Sequence, residues 1–323
     1  MAVFRVEPSQ EGRRLDRVVR FYLPGMPQGL VQKALRTGQI LLNGQRAEAS
    51  ARVSAGDELT ARVDDAFLTP EKKPDRFLSA FRPHLTVVYE DQNVLFCDKT
   101  VGLICHADER EKVNTLINHV RAYLYQKGES PDVNLCNRID RFTGGIVLCA
   151  KNGEALHDLD TRIRQGKVRK YYLCAVQGRP PKDEGIFDNW LYQRPGERKM
   201  RVSRRPVPEG RRAVTAWRVL HSARGLSLVE CELFSGRTHQ IRAQFADAGY
   251  PLAGDSQYGH TDAGGRAAQA LYAWRVAFDP MEGPLDYLSG RSFRVRDVPF
   301  IHDYFPGLAL SPAPTTPHKG DRT

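Results

Sequence analysis

The chain has 323 residues, 41% of them hydrophobic and 27% charged, with 48 Lys and Arg against 38 Asp and Glu for a formal net charge of +10. That length can bury more than one core, no apolar run approaches the roughly 18 residues a membrane span needs, and the cationic excess favours polyanions, nucleic acid first. The six cysteines (97, 105, 136, 149, 174 and 231) form no C-x-x-C pair, the nine histidines do not cluster, and no H-E-x-x-H or P-loop occurs, so no metal and no nucleotide cofactor is expected.

Along residues 13–62, Leu15, Val18, Val19 and Tyr22 fall on one face of a predicted helix, with Arg13, Arg17 and Arg20 opposite. "PQGLVQKALRTG" predicts a second short helix stopped at Gly38. "ILLNGQRA" predicts strand, Asn-Gly turn, strand, and "AGDELTARV" a further strand. With Arg14, Lys33, Arg36 and Arg46, this short unit holds seven cations. One arginine on a solvated face means little, but seven together point to nucleic-acid contact. "DDAFLTPEKKPDRFLSAFRPH" is charged, contains three prolines and predicts a linker near 66–84.

A second domain begins with a hairpin around Asp91–Asn93, followed by an amphipathic helix in "NTLINHVRAYLYQKG". "NGEALHDLDTRIRQG" predicts a helix capped by Asn152 and ending at Gly166. "RKYYLCAVQG" reads as a buried strand, "WRVLHSARGLSLVECEL" as a hairpin turning at Arg224–Gly225, and "THQIRAQFADAG" as a short helix with Ile241, Phe245 and Ala248 inward. "LYAWRVAFD" is a late strand. Without a repeated βαβ rhythm or a glycine-rich phosphate loop, the pattern predicts an α+β fold with a mixed, mainly antiparallel sheet and inserted helices, plus a small α/β unit at the N-terminus. The opening residues lack the apolar stretch of a secretory signal, Cys149 and Cys174 lie in strand-like apolar runs, and reduced thiols in the cytoplasm are expected.

Three places join a polar group to a buried element. In "NRIDRFTGGIVLCAKN", Asp140 stands between Arg138 and Arg141 at the lip of an apolar run. Cationic neighbours favour the charged form of a carboxylate, which suits a nucleophile or an ion-pair partner better than a general acid. A salt-bridged turn would look the same. In "SGRTHQIR", Arg237 falls at a strand-to-helix junction, where it can pair with a carboxylate. In "KYY", Tyr171 and Tyr172 point to opposite faces of a strand, so one can pack inward while the other lines a cleft. Spacing alone does not choose between those uses.

"NRIDRFTGG", "KYYLCAVQG" and "SGRTHQIRAQFADAGYPLAGDSQYG" resemble, in order, the signature motifs of the RluA-type pseudouridine synthases, and "YEDQNVLFCDKTVG" is similar to that family's first strand pair. Residues 13–62 resemble its small S-four-type RNA-binding domain. The resemblance implies isomerisation of uridine to pseudouridine in structured RNA, without cofactor. It implies Asp140 as the catalytic carboxylate and Arg138 as the side chain filling the gap left by a flipped base. It makes Tyr172 the tyrosine that stacks on uracil and Arg237 the partner of the aspartate. Arg13, Arg17, Arg20, Lys33, Arg36 and Arg46 become the N-terminal RNA contacts. The implied boundaries are 1–66 for the RNA-binding domain, 67–84 for the linker, 85–306 for the catalytic domain and 307–323 for a disordered tail. Large-subunit ribosomal RNA is the expected partner, with transfer RNA second, and the expected state is a cytoplasmic monomer. Alternatives are a non-enzymatic RNA-binding or ribosome-assembly factor on a dead synthase fold, which the presence of Asp140, Tyr172 and Arg237 argues against, and a glycosidase, which lacks a second acid in comparable context. The chain departs from the family pattern at Asn137, at Thr143-Gly144-Gly145 and at Lys99-Thr100.

Overall fold

A computed structural model describes residues 1–64, 67–68, 76–259 and 268–310. The chain divides into two compact units, Met1–Arg76 and Phe77–Thr323. In the first, β1 (Ala2–Arg5), α1 (Leu15–Tyr22), α2 (Gln28–Thr37), β2 (Ile40–Leu42) and β3 (Glu58–Ala61) follow in order, and the strands pair as β1-β3-β2. Leu15, Val18 and Val19 of α1 and Val31, Ala34 and Leu35 of α2 close one core with Ile40, Leu59 and Ala61. Gly38 ends α2 in the left-handed region at φ 74°. The Asn43–Gly44 turn forms with both residues at positive φ, but the strand expected after it shrinks to a single bridge, Leu42 to Gln45. Asn43 turns toward the start of β3 instead, its N–H donating to the Glu58 carbonyl and its side-chain amide bonding the Asp57 carboxylate and the Glu58 N–H. Arg17, Arg20, Lys33, Arg36 and Arg46 are exposed and Arg13 half-buried.

The second unit opens with α3 (Arg76–Ala80), β4 (Thr86–Glu90), β5 (Val94–Lys99), α4 (Leu116–Gln126), β6 (Asn134–Leu135), β7 (Gly144–Ala150), α5 (Gly153–Arg164) and β8 (Val168–Gln177). It continues with β9 (Glu184–Gln193), β10 (Met200–Ser203), β11 (Arg211–Ala223), β12 (Leu226–Leu233), α6 (Gln240–Asp247), β13 (Leu271–Phe278), β14 (Ser292–Arg294) and α7 (Pro299–Tyr304). The end of the expected linker is not extended: α3 forms there, Leu78 is buried, and Phe81 packs edge-on against His119 of α4. At the other end, Leu308 and Leu310 pack on the core rather than starting a disordered tail, and residues 311–323 lie outside the described residues.

One sheet runs β10-β9-β11-β12-β8-β13-β7-β5-β4, with β14 beside β13 and β6 beside β7. Its pairs are antiparallel except β13 with β7. Alternation along the strands divides the core into two faces. Ile146, Leu148, Tyr171 and Leu173 face α5; Val147, Cys149, Tyr172 and Cys174 face the side covered by α4 and α6. In α6, Ile241 and Phe245 turn inward as expected, but Ala248 lies beyond the helix and is exposed.

β7 begins at a close crossing. Gly144 lies opposite Tyr272 and Gly145 opposite Ala273 of the parallel neighbour. A Cβ on Gly144 would enter the Tyr272 ring, and one on Gly145, at φ 114°, would enter the Ala273 backbone. The double glycine is what lets β7 start beside β13. Gly145→Ala should lower the stability of the larger unit by about 3 kcal/mol or more, from backbone collision and positive-φ strain together. Denaturant unfolding against wild type measures it, and a loss below that size would mean the crossing yields.

Candidate active site

Asp140 stands in the loop between β6 and β7, and the loop is tied down almost residue by residue. The Cys136 N–H donates to the Leu148 carbonyl at 2.7 Å, and the Leu148 N–H donates to the Asn137 Oδ1 at 2.7 Å. Ile139 is buried and its carbonyl accepts from the Cys105 thiol at 3.5 Å. The Thr143 N–H donates back to the Asp140 carbonyl at 3.1 Å. The Arg141 carbonyl accepts from the Gly102 N–H at 2.8 Å and from the Lys99 ammonium at 3.2 Å. Lys99 is fully buried, and its other donations go to the carbonyls of Leu103 at 2.7 Å and Thr100 at 3.0 Å. Three carbonyls from two loops thus share one cation. Burial pushes the Lys99 pKa down to about 8 against the pull of Cys105 and Asp140.

The carboxylate itself is 32% exposed and opens into a cavity of about 580 Å³ that Arg138, Lys170, Tyr172, Phe234 and Arg237 also line. Two groups approach its Oδ2: Arg242 Nη1 at 3.6 Å and His239 Nε2 at 3.7 Å. Arg242 is buried and held in a bidentate pair with the buried Asp255, at 2.7 and 2.9 Å. Burial opposes the guanidinium charge, but Asp255 and then Asp140 outweigh it and raise its pKa. Its position is therefore set by a fixed ion pair, whatever occupies the cavity.

The expected partner of Asp140 is corrected here. Arg237 is exposed, and its Nε–H donates to the Arg212 carbonyl at 3.2 Å. Arg242 stands against the carboxylate instead: α6 begins at Gln240, Arg242 lies in its first turn, and His239, just before it, reaches the same carboxylate oxygen. Tyr172 and Tyr171 do part to opposite faces: Tyr172 goes to the cavity side, and Tyr171 lies under Arg275, whose guanidinium is 3.5 Å from the ring centroid. Burial and then the Asp140 charge raise the Tyr172 pKa above the ordinary tyrosine value, so its phenol is neutral. Arg138 is exposed at the cavity. Asp140, Tyr172 and Arg138 thus come together, while Arg237 reaches the rim with its charge free of the carboxylate. Sequence reasoning missed Lys99, His239, Arg242 and Asp255. The position of Arg242 in the first turn of α6 was the available signal for it; no sequence signal ties His239, Lys99 or Asp255 to the site.

The chain has relatives among known proteins. Residues 93–247 match the family model described as RNA pseudouridylate synthase. The chain is 31% identical over 275 residues to the uncharacterized RNA pseudouridine synthase YlyB of Bacillus subtilis, covering 84% of this chain and 87% of that one. It is 30% identical over 280 residues to ribosomal large subunit pseudouridine synthase D of Nitrosomonas europaea, covering 84% and 78%. The solved structure of human RNA pseudouridylate synthase domain containing 4 superposes with a TM-score of 0.54 at 21% identity, over 67% of this chain and 90% of that one, and shares the fold.

Lys99→Met keeps the side-chain stem and strips three carbonyls of their donor. Stability should fall by about 2 kcal/mol or more, and exchange of the Gly102 amide proton should accelerate. The folded pKa of Lys99, about 8, lies below its unfolded value. Between those two values the unfolded chain binds the extra proton, so this lysine's contribution rises with pH and is lost as pH falls back to 8. The stability gap between wild type and Lys99→Met should widen from pH 8 to about pH 10; denaturant unfolding at both pH values checks the sign.

Proposed function

This chain belongs to the RluA-type RNA pseudouridine synthases, an isomerase family, and on that premise we propose that it converts uridine to pseudouridine in large-subunit ribosomal RNA, as a cytoplasmic monomer, with Asp140 as the nucleophile. The observation that carries the assignment is the carboxylate in an open cavity with Arg242 and His239 against one of its oxygens and a neutral tyrosine on the wall. The names of the relatives support the choice of ribosomal RNA.

The reaction follows from those positions. A uridine within a stacked helix does not reach a carboxylate in a cavity, so the base is flipped out first. Arg138 is long, flat and exposed at the cavity mouth, and it takes the place the base leaves. Asp140 attacks C1′ as the C1′–N1 bond breaks, and the bonding pair leaves with uracil. Uracil turns against the Tyr172 ring, a face that holds a base without fixing its rotation. C5 then bonds to C1′ and displaces the carboxylate; C5 loses its proton and N1 gains one, so composition is conserved. Tyr172 enters as a neutral phenol that can relay that proton. Lys170, Arg164 and Arg237 around the cavity, and Arg13, Arg17, Arg20, Lys33, Arg36 and Arg46 on the first unit, bind the phosphate backbone.

Asp140→Asn changes one atom and removes the nucleophile. Pseudouridine formation on a ribosomal RNA transcript should vanish while filter-binding affinity is retained; substantial residual turnover would mean the chemistry lies elsewhere.

The two arginines of the last motif should separate sharply. Arg242→Lys keeps the charge and loses the fork that Asp255 holds, so turnover should drop at least about tenfold more than in Arg237→Lys. Single-turnover rates on one transcript decide this, and the reverse order would restore Arg237 as the partner of Asp140.

A further inference from the structure

His239 has an unusual position. It is the residue before α6 and adopts the left-handed conformation, φ 55° and ψ 24°, which costs free energy for any residue with a Cβ and is tolerated best by Asn, Asp and His. The ring is thereby set between two oxygens: Nδ1 is 3.0 Å from the Tyr258 hydroxyl and Nε2 is 3.7 Å from Asp140 Oδ2. The Tyr258 hydroxyl accepts the Met200 N–H at 2.7 Å. Among the described residues its only other hydrogen-bond partner is His239.

A hydroxyl has one proton to give. Here it goes to Nδ1, the one acceptor that the described residues offer the phenol. A neutral ring that accepts at Nδ1 carries its proton on Nε2, the nitrogen facing the carboxylate. The other end of the ring agrees independently: the opposite tautomer would set the Nε2 lone pair against those of Asp140. Burial and then Arg242 hold the ring neutral, over the opposing pull of Asp140 and Asp255.

We infer that His239 is a positioning residue for the nucleophile, its Nε2–H tautomer selected by Tyr258 so that it donates to Asp140 Oδ2 and leaves Oδ1 to attack. The inference rests on the assignment of Asp140 above. The 3.7 Å separation is an approach distance that closes to a hydrogen bond in the RNA complex, as catalytic contacts commonly do. Met200 belongs to β10, so the backbone of that strand specifies, through one phenol, which nitrogen faces the reacting acid.

The tautomer is measurable without turnover. In the ¹⁵N spectrum of the full-length protein at neutral pH, the His239 signal, assigned by its loss in His239→Asn, should show protonated Nε2 and unprotonated Nδ1. A protonated Nδ1, or protons on both, overturns the inference. Tyr258→Phe retains the ring beside Arg242, whose guanidinium lies 5.0 Å from the centroid, and removes only the hydroxyl. Its single-turnover rate should fall about tenfold or more with RNA affinity unchanged. An unchanged rate, or parallel losses of rate and affinity, sinks the positioning role. Because the spectrum does not depend on Asp140 chemistry, residual turnover in Asp140→Asn would overturn the nucleophile and leave the tautomer result standing.

Discussion

The site depends on one buried cation. Lys99 ends β5 with its ammonium sealed from water, a placement that is costly unless every proton finds an acceptor. The three acceptors are main-chain carbonyls of Thr100, Leu103 and Arg141. Two loops that share no strand are therefore drawn to one point directly beneath the residue next to Asp140. A carboxylate proposed as a nucleophile has to be accessible, yet it has to be placed to within a fraction of an ångström. The loop resolves this by burying its neighbours, Ile139 and Thr143, and anchoring its backbone, so that the exposed side chain rises from a rigid base.

The sheet supplies the other half of the arrangement. β8 is covered on both faces, so its alternation sends Tyr172 to the cavity side and Tyr171 to a cluster of charges behind it. The α6 helix lies on the same side and offers its first turn to the loop. Asp140, Tyr172 and Arg242 come from three elements far apart in sequence, and each is held by contacts that need no substrate. The rim differs: Arg138, Phe234 and Arg237 are exposed and few contacts fix them. That division, with anchored groups inside and exposed cations outside, suits an enzyme that must admit a bulky polyanion and act on one atom of it.

Much of this was legible in the sequence, because the elements announce themselves by period and punctuation. Gly38, Asn152 and the Arg224–Gly225 turn end or begin elements where the residue types demand it. Asp140 stood out through its flanking cations, and the split of Tyr171 from Tyr172 follows from strand geometry alone. The misreading of Arg237 has a specific cause. Two arginines five residues apart straddle a helix start, and only the left-handed turn at His239 determines which side of α6 faces the loop. That turn is a tertiary outcome, unusual for a residue with a Cβ. Helical spacing extended past the true end of α6 puts Ala248 inward, whereas the helix stops at Asp247. The strands β9 and β10 drew no prediction: β9 alternates exposed and covered positions, with Ile186 left outward, so its apolar pattern is weak.

The placement of β13 bears on how the protein is made. That strand lies between β8 and β7 in the middle of the sheet, yet it is encoded about a hundred residues after β8. While the chain emerges from the ribosome, the two halves of the sheet have no hydrogen-bonded bridge between them, and the Gly144–Gly145 end of β7 is unpaired on the side β13 will take. Closing that gap requires contacts of long sequence separation, which form slowly and leave unpaired edges exposed meanwhile. The Gly144–Gly145 crossing, and the loop it anchors, are completed only when Tyr272 and Ala273 arrive. A nascent chain that stops short of β13 would carry Asp140, Tyr172 and Arg242 and still lack the strand that joins the two halves of the sheet. Assembly of the cavity around Asp140 thus waits on β13, whatever else of the chain has already folded.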